Sequence, residues 1–164
     1  MVQRDRLILG IDPGLAATGY GLLGPRDEVL GCGSIRTGTG PTAPRLAEVV
    51  KQVEALVSRY AVTEAAIEEL FMGRNRTSAM AVAHARGAIM ACLERAGVCT
   101  YEYKPNQVKS LLTGYGMADK SQMARMLFAQ VAAPAGAVMD THAVDAIAVA
   151  VCHSRSRRLQ AATS

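Results

Sequence analysis

The chain has 164 residues, half of them apolar and a fifth charged, the composition of an ordinary soluble globular protein long enough for one domain with a sizeable core. Its formal charge of +4, from 18 basic and 14 acidic residues, suits a polyanionic partner or a plain solvated surface equally. No apolar run approaches the roughly 20 residues of a membrane span. The polar N-terminus leads straight into a strand without a signal peptide, and Cys32, Cys92, Cys99 and Cys152 form no C-x-x-C pair. The expected setting is therefore cytoplasmic, with reduced thiols, no membrane contact and no thiolate metal centre.

Residues 7–14 (LILGIDPG) are an apolar run ending in a carboxylate and a Pro-Gly break. The run is too short for a helix and reads as a buried strand with Asp12 at its carboxyl end. Residues 18–23 read as a second strand, antiparallel across a short hairpin, and 28–35 as a third. Residues 44–60 carry Leu46, Val49, Val50, Val53, Leu56 and Val57 at three- and four-residue spacing, one apolar helical face. Residues 65–70 form a fourth strand, followed by a basic loop, 71–76, that carries an aromatic.

Thr77 or Ser78 caps a long Ala-rich helix ending near Ala96 at Gly97, and 98–103 is a fifth strand. Pro105 opens a helix to Leu112, and residues 114–116 are flexible. Asp119 or Ser121 opens a helix to about Val131, and residues 134–136 are a linker. Asp140 caps a final helix to about His153, leaving 155–164 as a basic, disordered tail behind a single domain of 1–154. This order predicts an α/β fold: a five-stranded mixed sheet, a three-strand antiparallel meander plus parallel strands, with helices on both faces. The first strand is central, and residues 44–60 supply the crossover that parallel pairing requires.

Asp12 alone is ambiguous, since an Asp before Pro-Gly can simply cap the turn. The fourth strand lies beside the first, and alternation puts either Glu68 or Glu69 on the face of Asp12. Glu68 is the choice, because Glu69 is nearer the loop. His142 and Asp145 stand at i, i+3 on the last helix, and Asp145 is a carboxylate amid Ala, Val and Ile. Burying it alone costs several kcal/mol, so it needs a partner or a metal. Asp12, Glu68 and Asp145 together repel one another unless a cation is present. Hard oxygen ligands suit Mg²⁺ or Mn²⁺, and two such ions about 4 Å apart can activate water and stabilise the leaving oxygen of a phosphodiester. The alternative is three unrelated acids: a turn cap, a solvated strand residue and a helix-surface residue.

At these residues the chain resembles the RuvC-type Holliday-junction resolvases of the ribonuclease-H-like superfamily. The resemblance rests on an ordered set: Gly10-Ile11-Asp12-Pro13-Gly14 with Thr18-Gly19-Tyr20-Gly21, Ala66-Ile67-Glu68 with Phe71-Met72 and Asn75, Ala85-Arg86-Gly87, Gln107-Val108-Lys109, Lys120-Ser121-Gln122, and Asp145-Ala146-Ile147-Ala148. It implies a homodimer that binds four-way junction DNA, nicks two strands of like polarity symmetrically and works with the branch-migration complex RuvA-RuvB. It maps the metal ligands onto Asp12, Glu68, His142 and Asp145, and puts Lys109 and Lys120 close to the chemistry. Many members have Asp where this chain has His142. Imidazole is softer and uncharged, which favours Mn²⁺ over Mg²⁺. Asp140, two residues earlier and off that helical face, reads as a plain cap.

Phe71 is one of two phenylalanines and lies in a polar loop, either as a small core contact or as a base-stacking wedge; the family has an aromatic there. Arg74, Arg76, Lys104, Lys109, Lys120 and Arg125 lie on loops and helix starts after the strands, where they can neutralise phosphates around the acids, and Asn75 belongs with them by resemblance. The nearest alternative is a ribonuclease-H-like nuclease acting on another nucleic acid.

Overall fold

The computed structural model describes residues 6–70, 76–132, 136 and 139–163. Strand alternation decides how its layers form. In β1 (Ile8–Asp12), Leu9 and Ile11 join a core with α1 (Thr42–Tyr60) and α2 (Arg76–Arg95). Ile8 faces the opposite core, which holds α3 (Pro105–Thr113), α4 (Lys120–Phe128) and α5 (Thr141–Thr163). Gly10 and Asp12 share that second face by the two-residue period. The result is three layers, with a five-stranded sheet between two sets of helices.

The remaining strands are β2 (Ala17–Leu23), β3 (Val29–Arg36), β4 (Glu64–Glu68) and β5 (Cys99–Tyr103), in the spatial order β3-β2-β1-β4-β5. The meander β1-β2-β3 is antiparallel, and β4 and β5 continue parallel to β1. β1 is thus central, as expected. Ile11 pairs with Ile67, so the next residues along, Asp12 and Glu68, leave the sheet at one level. The α/β architecture with helices on both faces matches the sequence reading.

α5 is the buried element. Residues 146–152 are enclosed on all sides, between the sheet and α3 and α4. It lies unusually close to the strands because three glycines face it. A Cβ on Gly10 would stand 2.0 Å from the Ala146 carbonyl oxygen, and one on Gly19 2.0 Å from that of His142. A Cβ on Gly21 would meet Ile147 Cγ1 at 2.6 Å. Helix backbone therefore rests directly on strand backbone.

The N-terminus of α5 is fixed from β3. The Asp140 carboxylate accepts the Ala143 N–H at 3.0 Å, the cap expected from sequence. It also accepts Ser34 Oγ at 2.7 Å and Arg36 Nη2 at 2.6 Å, and these bonds pull its pKa down to about 2.

The far end of α5 departs from expectation. Residues 155–163, anticipated as a disordered basic tail, continue the helix to Thr163. Arg158 pairs with Asp27 at 2.9 Å, Arg157 approaches Glu64 at 3.6 Å, and Arg155 donates to Gln130. The partners lie far away in sequence, so no local pattern announces them. α4 also stops earlier than expected, at Phe128 rather than Val131, and Asp119, not Ser121, is its cap, accepting the Gln122 N–H at 2.9 Å.

Candidate active site

The carboxyl edge of the sheet opens into a groove of about 940 Å³. Asp12, Glu68, Lys120, His142 and Asp145 line it, and it runs past the 13–17 loop to Arg45 and the start of α2. β1 and β4 deliver Asp12 and Glu68 side by side. α5 descends over the glycine face and brings His142 and Asp145 above them. Open α/β sheets bind ligands in this position, beyond the carboxyl ends of their strands.

His142 Nδ1 lies 2.8 Å from Asp12 Oδ2, and Lys120 Nζ donates to Asp145 Oδ2 at 2.9 Å. Burial raises the Asp12 pKa, opposed by the His142 hydrogen bond and reinforced by the Asp145 charge. Glu68 is pushed up to about 7, first by burial and then by the charges of Asp12 and Asp145, with Lys120 and Lys109 pulling the other way. The hydrogen bond to Asp145, outweighing partial burial, raises the Lys120 pKa.

The cluster is short of positive charge. Among the described residues, no three His, Cys, Asp or Glu side chains converge to hold a metal ion as they stand. His142 is turned onto Asp12, and the Lys120 ammonium pairs with Asp145. The donor set, three carboxylates and an imidazole around an ammonium stand-in, nevertheless has the chemistry of a hard divalent site. The residues fit such an ion.

A pH dependence follows. A carboxyl whose pKa is higher folded than unfolded contributes stability that is present below the unfolded value, near 4.5, and lost as pH rises through about 7. In chelator, this contribution should lower the melting temperature by roughly 2–5 °C between pH 5 and pH 8, against an opposite drift from His153, whose pKa burial lowers. Glu68→Gln should flatten that slope, and a divalent ion should restore more stability at pH 8 than at pH 5. A pH slope of melting temperature that is the same in Glu68→Gln as in the wild type would refute the assignment.

The remaining expected site residues are distributed as follows. Lys109 is half-buried on α3, close enough to Glu68 to act on its charge. Lys104 is exposed just before Pro105, which lines the groove. Arg125 does not join them: it borders a separate hollow with Tyr115 and Met126 between α3 and α4. Phe71, Arg74 and Asn75 lie outside the described residues, as does the side chain of Arg76. Glu69 lines the groove, but its N–H is tied to the Tyr103 carbonyl at 2.8 Å. Sequence reading missed Arg45. The available signal was weak: a cation near a helix start, where the macrodipole disfavours it.

A sheet of this order with acids gathered at its carboxyl edge defines a nuclease of the ribonuclease-H-like fold. The family profile "Crossover junction endodeoxyribonuclease RuvC" matches residues 8–153. The crossover junction endodeoxyribonuclease RuvC of Heliobacterium modesticaldum is 43% identical over 154 residues, covering 92% of this chain and 94% of that protein. The Roseiflexus protein of the same name is 43% identical, covering 89% of each. The solved structure of Thermus thermophilus RuvC in complex with a Holliday junction substrate superposes with a TM-score of 0.85 at 29% identity, over 94% of this chain and 96% of that one. The chain belongs to the RuvC family of crossover junction endodeoxyribonucleases, whose catalysis depends on divalent metal.

Proposed function

We propose that this protein resolves four-way DNA junctions by paired, symmetric nicks, with Asp12, Glu68, His142 and Asp145 holding two divalent ions. The observation that carries the site assignment is the meeting of three carboxylates in one groove with Lys120 as their nearest ammonium. Bound there, such ions supply an activated water and stabilise the departing oxygen. The chain's own residues do the rest. Asp12 and Glu68, fixed at one level by the β1–β4 register, set where the scissile phosphate sits. Lys120, once free of Asp145, can meet charge developing on that phosphate, with Lys109 behind it.

Phe71 is assigned to base stacking beside the cut. Arg74, Asn75, Arg76 and Lys104 are assigned to the DNA backbone. A homodimer places two such sites for cuts of like polarity, and the RuvA-RuvB complex is the expected partner in recombination and repair. No helix among the described residues is long and apolar enough to cross a membrane.

The test uses labelled four-way junction, linear duplex and RNA–DNA hybrid, each with Mn²⁺, Mg²⁺ or chelator. Paired nicks in the junction alone support the proposal; equal cutting of duplex or hybrid points to a nuclease of other specificity. No metal-dependent nicking of any substrate defeats both. Because His142 replaces a carboxylate by imidazole, cleavage with Mn²⁺ should at least equal that with Mg²⁺ at the same concentration. His142→Asp should move the balance toward Mg²⁺. A clear Mg²⁺ preference in the wild type would remove His142 from the ligand set.

A further inference from the structure

The groove continues past the acids to a cation at its far end. Arg45 is half-buried near the start of α1 and lines the groove beyond the 13–17 loop. Among the described residues it forms no ion pair. Its hydrogen bond runs from Nε to Thr37 Oγ1 at 3.0 Å. That hydroxyl donates to the Leu15 carbonyl at 2.6 Å, and the Thr37 N–H donates to the Ala16 carbonyl at 3.1 Å. The guanidinium is therefore fastened to the loop that follows Asp12. One edge is engaged, and among the described residues no hydrogen bond or ion pair takes up either Nη. A planar fork held in this way is preorganised for bidentate contact with a phosphate.

The charge pattern across the groove points the same way. Lys120 and Lys109 stand on the α3–α4 side of the acids, whereas Arg45 stands on the α1 side. The start of α2 adds the uncharged Ala79 and Val82 to the lining, and Glu69, just after β4, is the further acid in it. A polyanion crossing the sheet edge needs cations on both sides of three carboxylates.

We propose that Arg45 is a phosphate clamp: it grips a non-scissile phosphodiester of the cleaved strand where that strand leaves the acids and passes over the 13–17 loop. This inference rests on the reading of the acids as the cleavage site. It adds a binding subsite that fixes the path of the strand.

The test places a single neutral methylphosphonate at each position within four nucleotides of the cut, in a four-way junction. Binding and single-turnover cleavage are measured for the wild type, Arg45→Ala and Arg45→Lys, with melting temperatures alongside. In the wild type, one non-scissile position should cost about tenfold in affinity. In Arg45→Ala that penalty should vanish, and the slope of log affinity against log salt should fall by about one unit. Arg45→Lys should keep the slope and recover part of the affinity. The proposal is overturned if Arg45→Ala shows the same positional penalty as the wild type, or if its losses are uniform over all positions and follow a lowered melting temperature, which would make Arg45 a brace for the loop. A wild type that nicks no junction defeats the cleavage-site reading, and the clamp with it; a wild type that nicks normally without positional coupling defeats the clamp alone.

Discussion

Asp12→Asn should abolish junction cleavage, by about a thousandfold or more, while leaving junction binding within a few fold of wild type. A thousandfold loss corresponds to about 4 kcal/mol of transition-state stabilisation. The change is isosteric. It removes one of the three carboxylate charges and leaves an acceptor for His142 Nδ1. Folding should not suffer. Asp12 has a raised pKa because burial and Asp145 penalise its charge, so in chelator at pH 8 the Asn protein should melt no lower than wild type. It should also lose most of the stabilisation that a divalent ion confers. Single-turnover cleavage, gel-shift binding and melting with and without metal report these effects separately. A variant that nicks junctions at the normal rate would dismantle the whole site assignment.

The second large effect concerns residues with no side chain. Gly10→Ala should destabilise the fold by about 1–3 kcal/mol, because its Cβ would stand 2.0 Å from the Ala146 carbonyl oxygen and 2.8 Å from Ala150 Cβ. Neither obstacle is a flexible side-chain end, so α5 must lift. Gly19→Ala carries the same conflict to the helix start, against the His142 carbonyl oxygen and Cβ. It should cost less stability than Gly10→Ala at the middle of the strand, and more activity. Raising His142 and Asp145 from Asp12 by even about 1 Å can cost roughly a hundredfold in rate. Gly31→Ala is the control, since its Cβ would meet nothing nearer than 3.7 Å. If the Gly19 and Gly31 variants cleave alike, the close seating of α5 does not set the site geometry.

What could be read in advance, and what could not, divides along physical lines. The alternation in 7–12, the crossover helix and the two-residue offset from Ala66 to Glu68 are local patterns, and they placed two acids on one face of a sheet whose central strand was correctly chosen. The i, i+3 spacing of His142 and Asp145 likewise needed only helical geometry. The extension of α5 was hidden because its arginines answer Asp27, Glu64 and Gln130. The tie between Asp140 and β3 was hidden in the same way: the sequence shows a helix cap, but Ser34 and Arg36 lie more than 100 residues away. Arg45 escaped notice because a groove exists only once the sheet edge, a loop and two helix starts have met. The position of Arg125 was misjudged because a helix start near the sheet edge can still face a different hollow.

The seating of α5 has a consequence for the life of the chain in the cell. Two of the four proposed ligands stand on β1 and β4, and the other two on the last helix, which is seated on the strands across bare glycines and by the His142–Asp12 hydrogen bond. A chain emerging from the ribosome carries Asp12 and Glu68 long before His142 and Asp145 exist, and a chain broken before residue 141 never acquires them. Neither species has a complete ligand set. On the proposed ligand set, a chain could cut DNA only after its last structural layer has closed, so that completion of folding would act as the safety catch.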